Sequence, residues 1–160
     1  MNEAARLIDE LTRVMQGDAW FGDSLETILD DVTPAMAAKR PASAVHSIWE
    51  IVRHLTAWTG EVHRRLEGEP AGEPREGDWP APSGTTGAAW RADVAAYMHA
   101  HSRLLQRLER ESDESLFAPT NDPRDRSAGT GVAKDVMLHG LAQHHAYHGG
   151  QIALLKKLLA

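Results

Sequence analysis

Apolar side chains recur every three or four residues in four long segments of the chain, and this spacing predicts four amphipathic helices. Ser47 and Glu50 form the capping-box pattern that marks the start of one of them. A short extra helix is predicted between the first two long helices, ending near Thr33 and Pro34. The predicted helices cover about Glu3–Gln16, Ser24–Asp31, Ser47–Glu67, Ala88–Glu111 and Val132–Leu159.

Two long connections rich in glycine and proline interrupt this helical pattern. No segment alternates between apolar and polar residues as a strand does, so we predict an all-α four-helix bundle, one domain spanning residues 1–160. The connection Gly68–Thr86, of about 18 residues, can extend over about 55–60 Å, whereas a 20-residue helix is about 30 Å long. It can therefore return along the bundle and leave the second and third long helices parallel, although a loop of this length can also act as a lid.

The composition excludes several classes of function. The net charge is −6, so the chain lacks the cationic surface that phosphate binding needs. The absence of cysteine rules out disulfides, thiolate ligands and a cysteine nucleophile. No apolar run approaches the roughly 20 residues of a membrane span, and the polar first residues are unlike a signal peptide. We therefore expect a cytoplasmic protein with neither a membrane nor a nucleic-acid partner.

Histidines lie on the apolar faces of the predicted helices. On a helical wheel His144 and His148 share one face of the fourth long helix, and imidazoles four residues apart can bind one metal ion. His54, at the edge of the apolar stripe of the second long helix, would complete a three-histidine site with open positions for water or substrate. The alternative is that these are core histidines whose nitrogens are hydrogen-bonded, and a packed role is also expected for His101 in the third long helix.

Three stretches resemble the DinB-like (YfiT-like) family of four-helix-bundle proteins: SIWEIVRHLTAW, GDWP and QHHAYHGGQIALLKK. The resemblance implies an up-down-down-up bundle with its long crossover between the second and third long helices. It also implies a divalent metal ion, zinc or nickel, held by His54, His144 and His148. Homodimers are common in the family, so the resemblance implies a homodimer as well.

The chain departs from the family pattern at two positions of the fourth long helix. Gly149 stands where many members have arginine or alanine, so a contact between that position and an anionic substrate is not carried over. His145 stands where smaller or acidic residues are common, and we expect it to be a solvated neighbour of the site rather than a fourth ligand.

The family resemblance also bears on activity. Characterised relatives include transferases and isomerases that use low-molecular-weight thiols, so we hypothesise a small metal-dependent enzyme acting on a small molecule: a thiol-dependent transferase or isomerase, or a metal-activated hydrolase. Glu61 is the nearest carboxylate by wheel position and could steer a metal-bound water, or it could be a surface acid paired with Arg64 or Arg65. The alternative function is a non-catalytic metal-binding bundle with a role in ligand binding or stress response.

Other notable residues have structural explanations. The GDSL string resembles a serine hydrolase signature, but that chemistry needs a strand-to-helix turn, so Asp23 or Ser24 is expected to cap a helix. Trp58 is expected in the core. The pair Gly149-Gly150 lacks Cβ atoms and is expected to let a neighbouring element pack closely.

Overall fold

The computed structural model describes residues 2–43, 45–122 and 132–159, which form seven helices and no strand. The predicted all-α class is therefore confirmed, and each of the four long predicted helices is present. The helices are α1 (Glu3–Gln16), α2 (Leu25–Asp30), α3 (Pro34–Ala38), α4 (Ile48–Leu66), α5 (Gly87–Leu108), α6 (Asp113–Leu116) and α7 (Lys134–Leu159).

Hydroxyl side chains cap the starts of α2 to α6. Ser47 and Glu50 form the predicted capping box of α4, and Ser24 of the GDSL string accepts a hydrogen bond from the backbone at the start of α2. Thr33 caps α3, a helix absent from the sequence prediction because Pro34 there marks a stop. Proline is well tolerated in the first turn of a helix, where its missing N–H costs nothing.

Helices α4 and α5 are parallel. Near their starts the Trp49 indole Nε1 donates to Asp93 Oδ2 over 2.7 Å, and near their ends an Arg107 guanidinium nitrogen donates to the Leu66 carbonyl over 2.8 Å. The crossover between them, residues 67–86, returns along α4 to make this direction possible.

Helix α7 runs antiparallel to α4. The His54 ring lies 4.8 Å from the His148 ring, whereas Trp58, one turn later in α4, lies 6.4 Å from His144, one turn earlier in α7. The directions of α4, α5 and α7 agree with the down-down-up part of the predicted up-down-down-up order. The complete order stays a prediction.

The core lies between the long helices and consists largely of leucine, isoleucine and tryptophan side chains. Trp49 and Trp90 meet edge to face with ring centroids 5.4 Å apart, and Trp90 Nε1 donates to the Val32 carbonyl. Helix α2 packs on α7 at Gly149, where a Cβ would lie 3.3 Å from a methyl group of Leu25. Among the described residues, no helix has both the length and the hydropathy of a membrane span.

Candidate metal centre

The three histidines predicted as ligands lie together between α4 and α7. His54 Nε2 is 2.9 Å from His144 Nε2, and one ring nitrogen from each of His54, His144 and His148 lies within 4.8 Å of the others. Nitrogens bound tetrahedrally to one zinc ion at about 2.0–2.1 Å are about 3.3 Å apart. The group could therefore hold a divalent metal ion after only small shifts of its side chains.

Hydrogen bonds from the opposite ring nitrogens orient two of these imidazoles. His54 Nδ1 donates to the Asp78 carbonyl over 2.6 Å, and His148 Nδ1 donates to Gln151 Oε1 over 2.6 Å. A neutral imidazole with its hydrogen on Nδ1 has its lone pair on Nε2. Both rings are thus held in the tautomer that binds a metal through Nε2, and bonds of this kind are typical of the second sphere of metal sites.

The crossover supplies an aromatic wall behind His54. The Trp79 indole stacks on His54 with ring centroids 3.9 Å apart and on His46 with centroids 3.7 Å apart. Trp58 Nε1 donates to Asp78 Oδ1 over 2.7 Å. Trp58 therefore lies beside the histidines and is partly exposed, in contrast to the predicted place in the core.

Burial and mutual repulsion keep the three imidazoles neutral. Desolvation lowers the pKa values of His54 and His148. It also lowers the pKa of His144 to about 4, with a further contribution from the two neighbouring imidazoles. At neutral pH all three therefore keep a lone pair for a metal ion, which is the protonation state that ligation requires.

The three histidines line a cavity of about 690 Å³ that opens to solvent. His144 is only half-buried, because the buried face of α7 is turned about 50° from the predicted face, toward His145. Apolar side chains including Val45 and Leu154 line much of the cavity. The one carboxylate among its described lining residues belongs to Asp78, and none of these residues is lysine or arginine.

Comparison with protein families agrees with this arrangement. The family model of the DinB superfamily matches residues 19–152, most of the chain. The chain belongs to the DinB superfamily. The matched region contains all three candidate ligands and the crossover, which confirms the resemblance inferred from the sequence motifs. A search of curated proteins found no match to this DinB chain.

Glu61, the predicted catalytic carboxylate, is not brought to the histidines of this DinB chain. Its Oε1 accepts hydrogen bonds from Arg65 Nε over 2.8 Å and from the Gly72 N–H over 3.0 Å, and its Oε2 is paired with Arg64. The ion pairs offered as the alternative are thus present, although the carboxylate is buried and not on the surface. Through these contacts Glu61 fastens the first part of the crossover to α4.

His145 is fully buried, so the expectation of a solvated neighbour is wrong. The Thr59 hydroxyl donates to the Leu55 carbonyl, so His145 Nε2 donates to Thr59 Oγ1 over 3.1 Å and its Nδ1 accepts from the Tyr97 hydroxyl over 3.2 Å. Burial lowers the pKa of His145 and raises that of Tyr97. The side chain points into the DinB bundle and ties α7 to α4 and α5.

His101 is also in the core, as expected, with its ring centroid 6.1 Å from that of His145. Among the described residues neither of its ring nitrogens has a hydrogen-bond partner. Burial lowers its pKa to about 4. His101 therefore belongs to the packing of the DinB bundle and not to the three-histidine group.

Four residues of the site have no role in the sequence-based prediction. The signal for Asp78 and Trp79 was the GDWP motif, whose contacts with His54 join residues 24 and 25 positions apart. His46 had no signal, because it precedes α4 and lies outside the predicted apolar stripe; it lines the cavity and stacks on Trp79. Gln151 lies one turn beyond His148 on the predicted face, and this spacing explains its hydrogen bond.

Proposed function

We propose that this protein binds one divalent metal ion through His54, His144 and His148 and acts on a small molecule as a metal-dependent enzyme. The main support for the proposal is the orientation of these three imidazoles beside an open cavity. His54 and His148 donate from Nδ1 to oxygen acceptors, and His54 Nε2 faces His144 Nε2. Three core histidines in a purely structural role would not need a cavity beside them.

Zinc or nickel is the metal that this donor set suits. Three neutral imidazoles leave the full positive charge on the ion, and imidazole is a good ligand for both metals. When bound, the cation favours a thiolate over a thiol and polarises a carbonyl group.

The lining of the cavity favours a neutral, apolar substrate. Without a lysine or arginine among its described residues, the lining offers no cationic side chain to a phosphate or carboxylate group away from the proposed metal ion. Val45, Leu154 and Leu158 instead offer apolar surface to the part of the substrate that reaches away from the histidines. Asp78 places the only negative charge of this lining beside His54, with Oδ1 3.3 Å from Nδ1.

We propose a thiol-dependent transfer as the reaction. A low-molecular-weight thiol loses its proton to solvent, its sulfur forms a bond to an electrophilic carbon of the apolar substrate, and the leaving group departs with the electron pair of the broken bond. The chain holds the three imidazoles in place, and the apolar wall excludes water from the carbon that is attacked.

Metal binding is tested first, on protein purified without nickel affinity resin. We expect about one metal ion per chain by elemental analysis, and His144→Ala and His148→Ala to weaken zinc binding by at least about 100-fold. His139→Ala is the matched control, because His139 lies on the same helix but contacts Glu3 and Glu10. Equal metal binding in all three variants would contradict the proposal.

Catalysis is tested separately with the metal-loaded protein. We expect turnover of model electrophiles with a thiol, lost on metal removal and in His148→Ala. Turnover that persists in His148→Ala after the metal is lost would contradict metal-dependent catalysis, whereas the proposal that the native histidines bind a metal would still stand. Stoichiometric metal binding without turnover of thiols or hydrolysable esters would favour the non-catalytic, ligand-binding alternative.

A further inference from the structure

A second cavity, of about 320 Å³, lies between α4, α5 and the crossover and opens to solvent. It shares none of its described lining residues with the histidine cavity. Arg64 of α4, Arg75 of the crossover and Arg103 of α5 line it, and we name it the arginine cavity after these three. The net charge of −6 argues against a broad cationic surface, but a cavity can still concentrate positive charge locally.

Ion pairs hold two of the three guanidinium groups in place. Arg64 is paired with the fully buried carboxylate of Glu61, and its Nε donates to Glu69 Oε2 over 2.9 Å. Arg75 Nη2 donates to the same oxygen over 2.8 Å. Glu69 therefore bridges the two arginines. Each guanidinium group carries five N–H donors, so both keep donors that these carboxylates do not use.

Arg103 is the third cation of the cavity, and no described residue balances its charge. It is exposed, and none of the described residues forms a hydrogen bond or an ion pair with its guanidinium group. The pKa of His63, another lining residue, is lowered first by burial and then by the charge of Arg103, so this charge lies close to the wall that α4 forms. Like charges around one cavity repel one another, and an anion bound between them is attracted to all of them.

The carboxylates of the lining are already balanced by other pairings. Glu61 is paired with Arg64 and with Arg65, and Glu76 is paired with Arg53 over 3.1 Å. Among the described lining residues these two are the only acidic ones. Neither is therefore left to balance the remaining guanidinium charge of the cavity.

A glycine inside α4 enlarges the arginine cavity. Gly60 lines it and lies in the interior of the helix, where glycine costs about 1 kcal/mol relative to alanine. Close packing of another element does not explain this glycine, because no described neighbour lies within 4 Å of the place that a Cβ would take. The space of the missing side chain instead belongs to the cavity, whose wall there continues with Ala57 and Ala100.

We propose that the arginine cavity binds a small organic anion through the guanidinium groups of Arg64, Arg75 and Arg103. A guanidinium group is planar and matches two oxygens of a phosphate or carboxylate group at once, so either group can supply the negative charge. The small residues Ala57 and Gly60 leave room for the carbon part of the molecule. This ligand differs in charge from the neutral, apolar substrate proposed for the histidine cavity.

Isothermal titration calorimetry of the full-length protein with inorganic phosphate, pyrophosphate and malonate tests the proposal. We expect one anion per chain, and Arg103→Gln to weaken the binding of the tightest probe by about 10-fold or more. The matched control is Arg91→Gln, because Arg91 is an exposed arginine of the same helix outside the arginine cavity. We expect it to leave the affinity within about twofold.

The three probes also distinguish the two sources of charge. Tightest binding of pyrophosphate or phosphate would support a phosphate-bearing ligand, and tightest binding of malonate would support a carboxylate-bearing one. Binding of none of the three would overturn the proposal. Equal weakening in Arg103→Gln and Arg91→Gln would also overturn it, because the anions would then respond only to the overall charge of the protein.

Gly60→Leu tests the cavity without removing a charge. We expect the leucine side chain to fill the space and to weaken anion binding by about 10-fold or more, while circular dichroism shows an intact helical protein. Gly150→Leu is the control, since Gly150 is also a helical glycine with open space at its Cβ position but lies outside the arginine cavity. Unchanged binding in a folded Gly60→Leu would contradict binding inside the cavity.

His148→Ala separates this site from the proposed metal ion, which could itself bind these anions. No lining residue of the arginine cavity belongs to the three-histidine group, so we expect His148→Ala to leave anion binding within about twofold. Binding that is lost in His148→Ala but kept in Arg103→Gln would assign the anion to the metal. That result would overturn the anion site and leave the proposed metal-dependent function standing.

Discussion

The ring nitrogens of the buried histidines have different partners, and this separates candidate ligands from packing residues. His54 and His148 each donate from Nδ1, which leaves the lone pair of each ring on Nε2. His145 uses both nitrogens within the core. His101 uses neither with the described residues, so its polar atoms are desolvated without compensation, which costs about 1–3 kcal/mol for an unsatisfied group.

Replacing His101 by leucine should therefore stabilise the protein. We expect His101→Leu to raise the free energy of unfolding at pH 7 by on the order of 1 kcal/mol, because an apolar side chain of similar volume removes the unsatisfied nitrogens. Urea denaturation measures the change. His99→Leu, at an exposed position of the same helix, is the control and should change the stability by less than about 0.5 kcal/mol. A loss of stability in His101→Leu would mean that the imidazole has a polar partner in the folded protein.

The sequence could predict which residues lie together where their spacing along one helix is sufficient to do so. His144 and His148 are four residues apart, and one helical turn brings them together whatever the tertiary structure is. The burial of His145 could not be predicted in this way, because it depends on the side of α7 that meets α4 and α5. A rotation of the buried face of α7 by about 50° from the predicted face placed His145 in the core and left His144 half-buried beside the cavity.

At the scale of elements, the crossover from α4 to α5 has two roles. It leads the chain back along α4, and it contacts the histidine site. Near its start the Gly72 N–H donates a hydrogen bond to Glu61, and further along the Asp78 carbonyl accepts one from His54. Arg53 then donates to the Ala81 carbonyl, close to where α5 begins. The composition of the crossover predicted a long connection but not these contacts, since each depends on a residue that is distant in sequence.

The glycine before Asp78 offers a test of the crossover that touches no histidine. Gly77 has φ +86°, a left-handed conformation in which alanine is strained by roughly 1–2 kcal/mol. We expect Gly77→Ala to move the Asp78 carbonyl away from His54 Nδ1 and to weaken zinc binding about 10-fold to 100-fold. Isothermal titration calorimetry with zinc measures the effect.

Gly68 is a closely matched control for this substitution. It has the same φ of +86°, and like Gly77 it has open space where a Cβ would lie. We expect Gly68→Ala to cost similar stability at the end of α4 but to leave zinc affinity within about twofold, because it precedes no contact with a histidine. Equal loss of zinc affinity in both variants would show that strain in the crossover acts through general destabilisation and not through Asp78.

For the whole molecule, the four long helices could be predicted well because each has its own apolar period. The short helices α3 and α6 were missed, because four or five residues are too few to show a period. The cavity could not be predicted either, since it depends on how α4, α7 and the crossover come together. Their assembly produces a bundle that buries several neutral imidazoles at once.

This burial makes the stability of the metal-free protein sensitive to acid. The folded-state pKa of His101 is about 4 and that of His145 is also lowered, in each case by burial. In the unfolded chain both would titrate near 6.5. Between these values the unfolded chain binds more protons than the folded one, so the free energy of unfolding must fall as the pH falls from 6.5 toward 4. His139 opposes this trend, because hydrogen bonds from its ring to Glu10 and Glu3 outweigh its desolvation and raise its pKa.

We expect urea denaturation of the metal-free protein to show this loss of stability below pH 6.5, with His101 alone contributing up to about 3 kcal/mol at pH 4. His101→Leu should make the dependence on pH shallower, because one buried neutral imidazole is removed. His139→Ala should make it steeper, because the stability that protonated His139 supplies at low pH is lost. A pH dependence between 6.5 and 4 that is identical in these two variants and the wild-type protein would mean that neither His101 nor His139 contributes to the change of stability in acid.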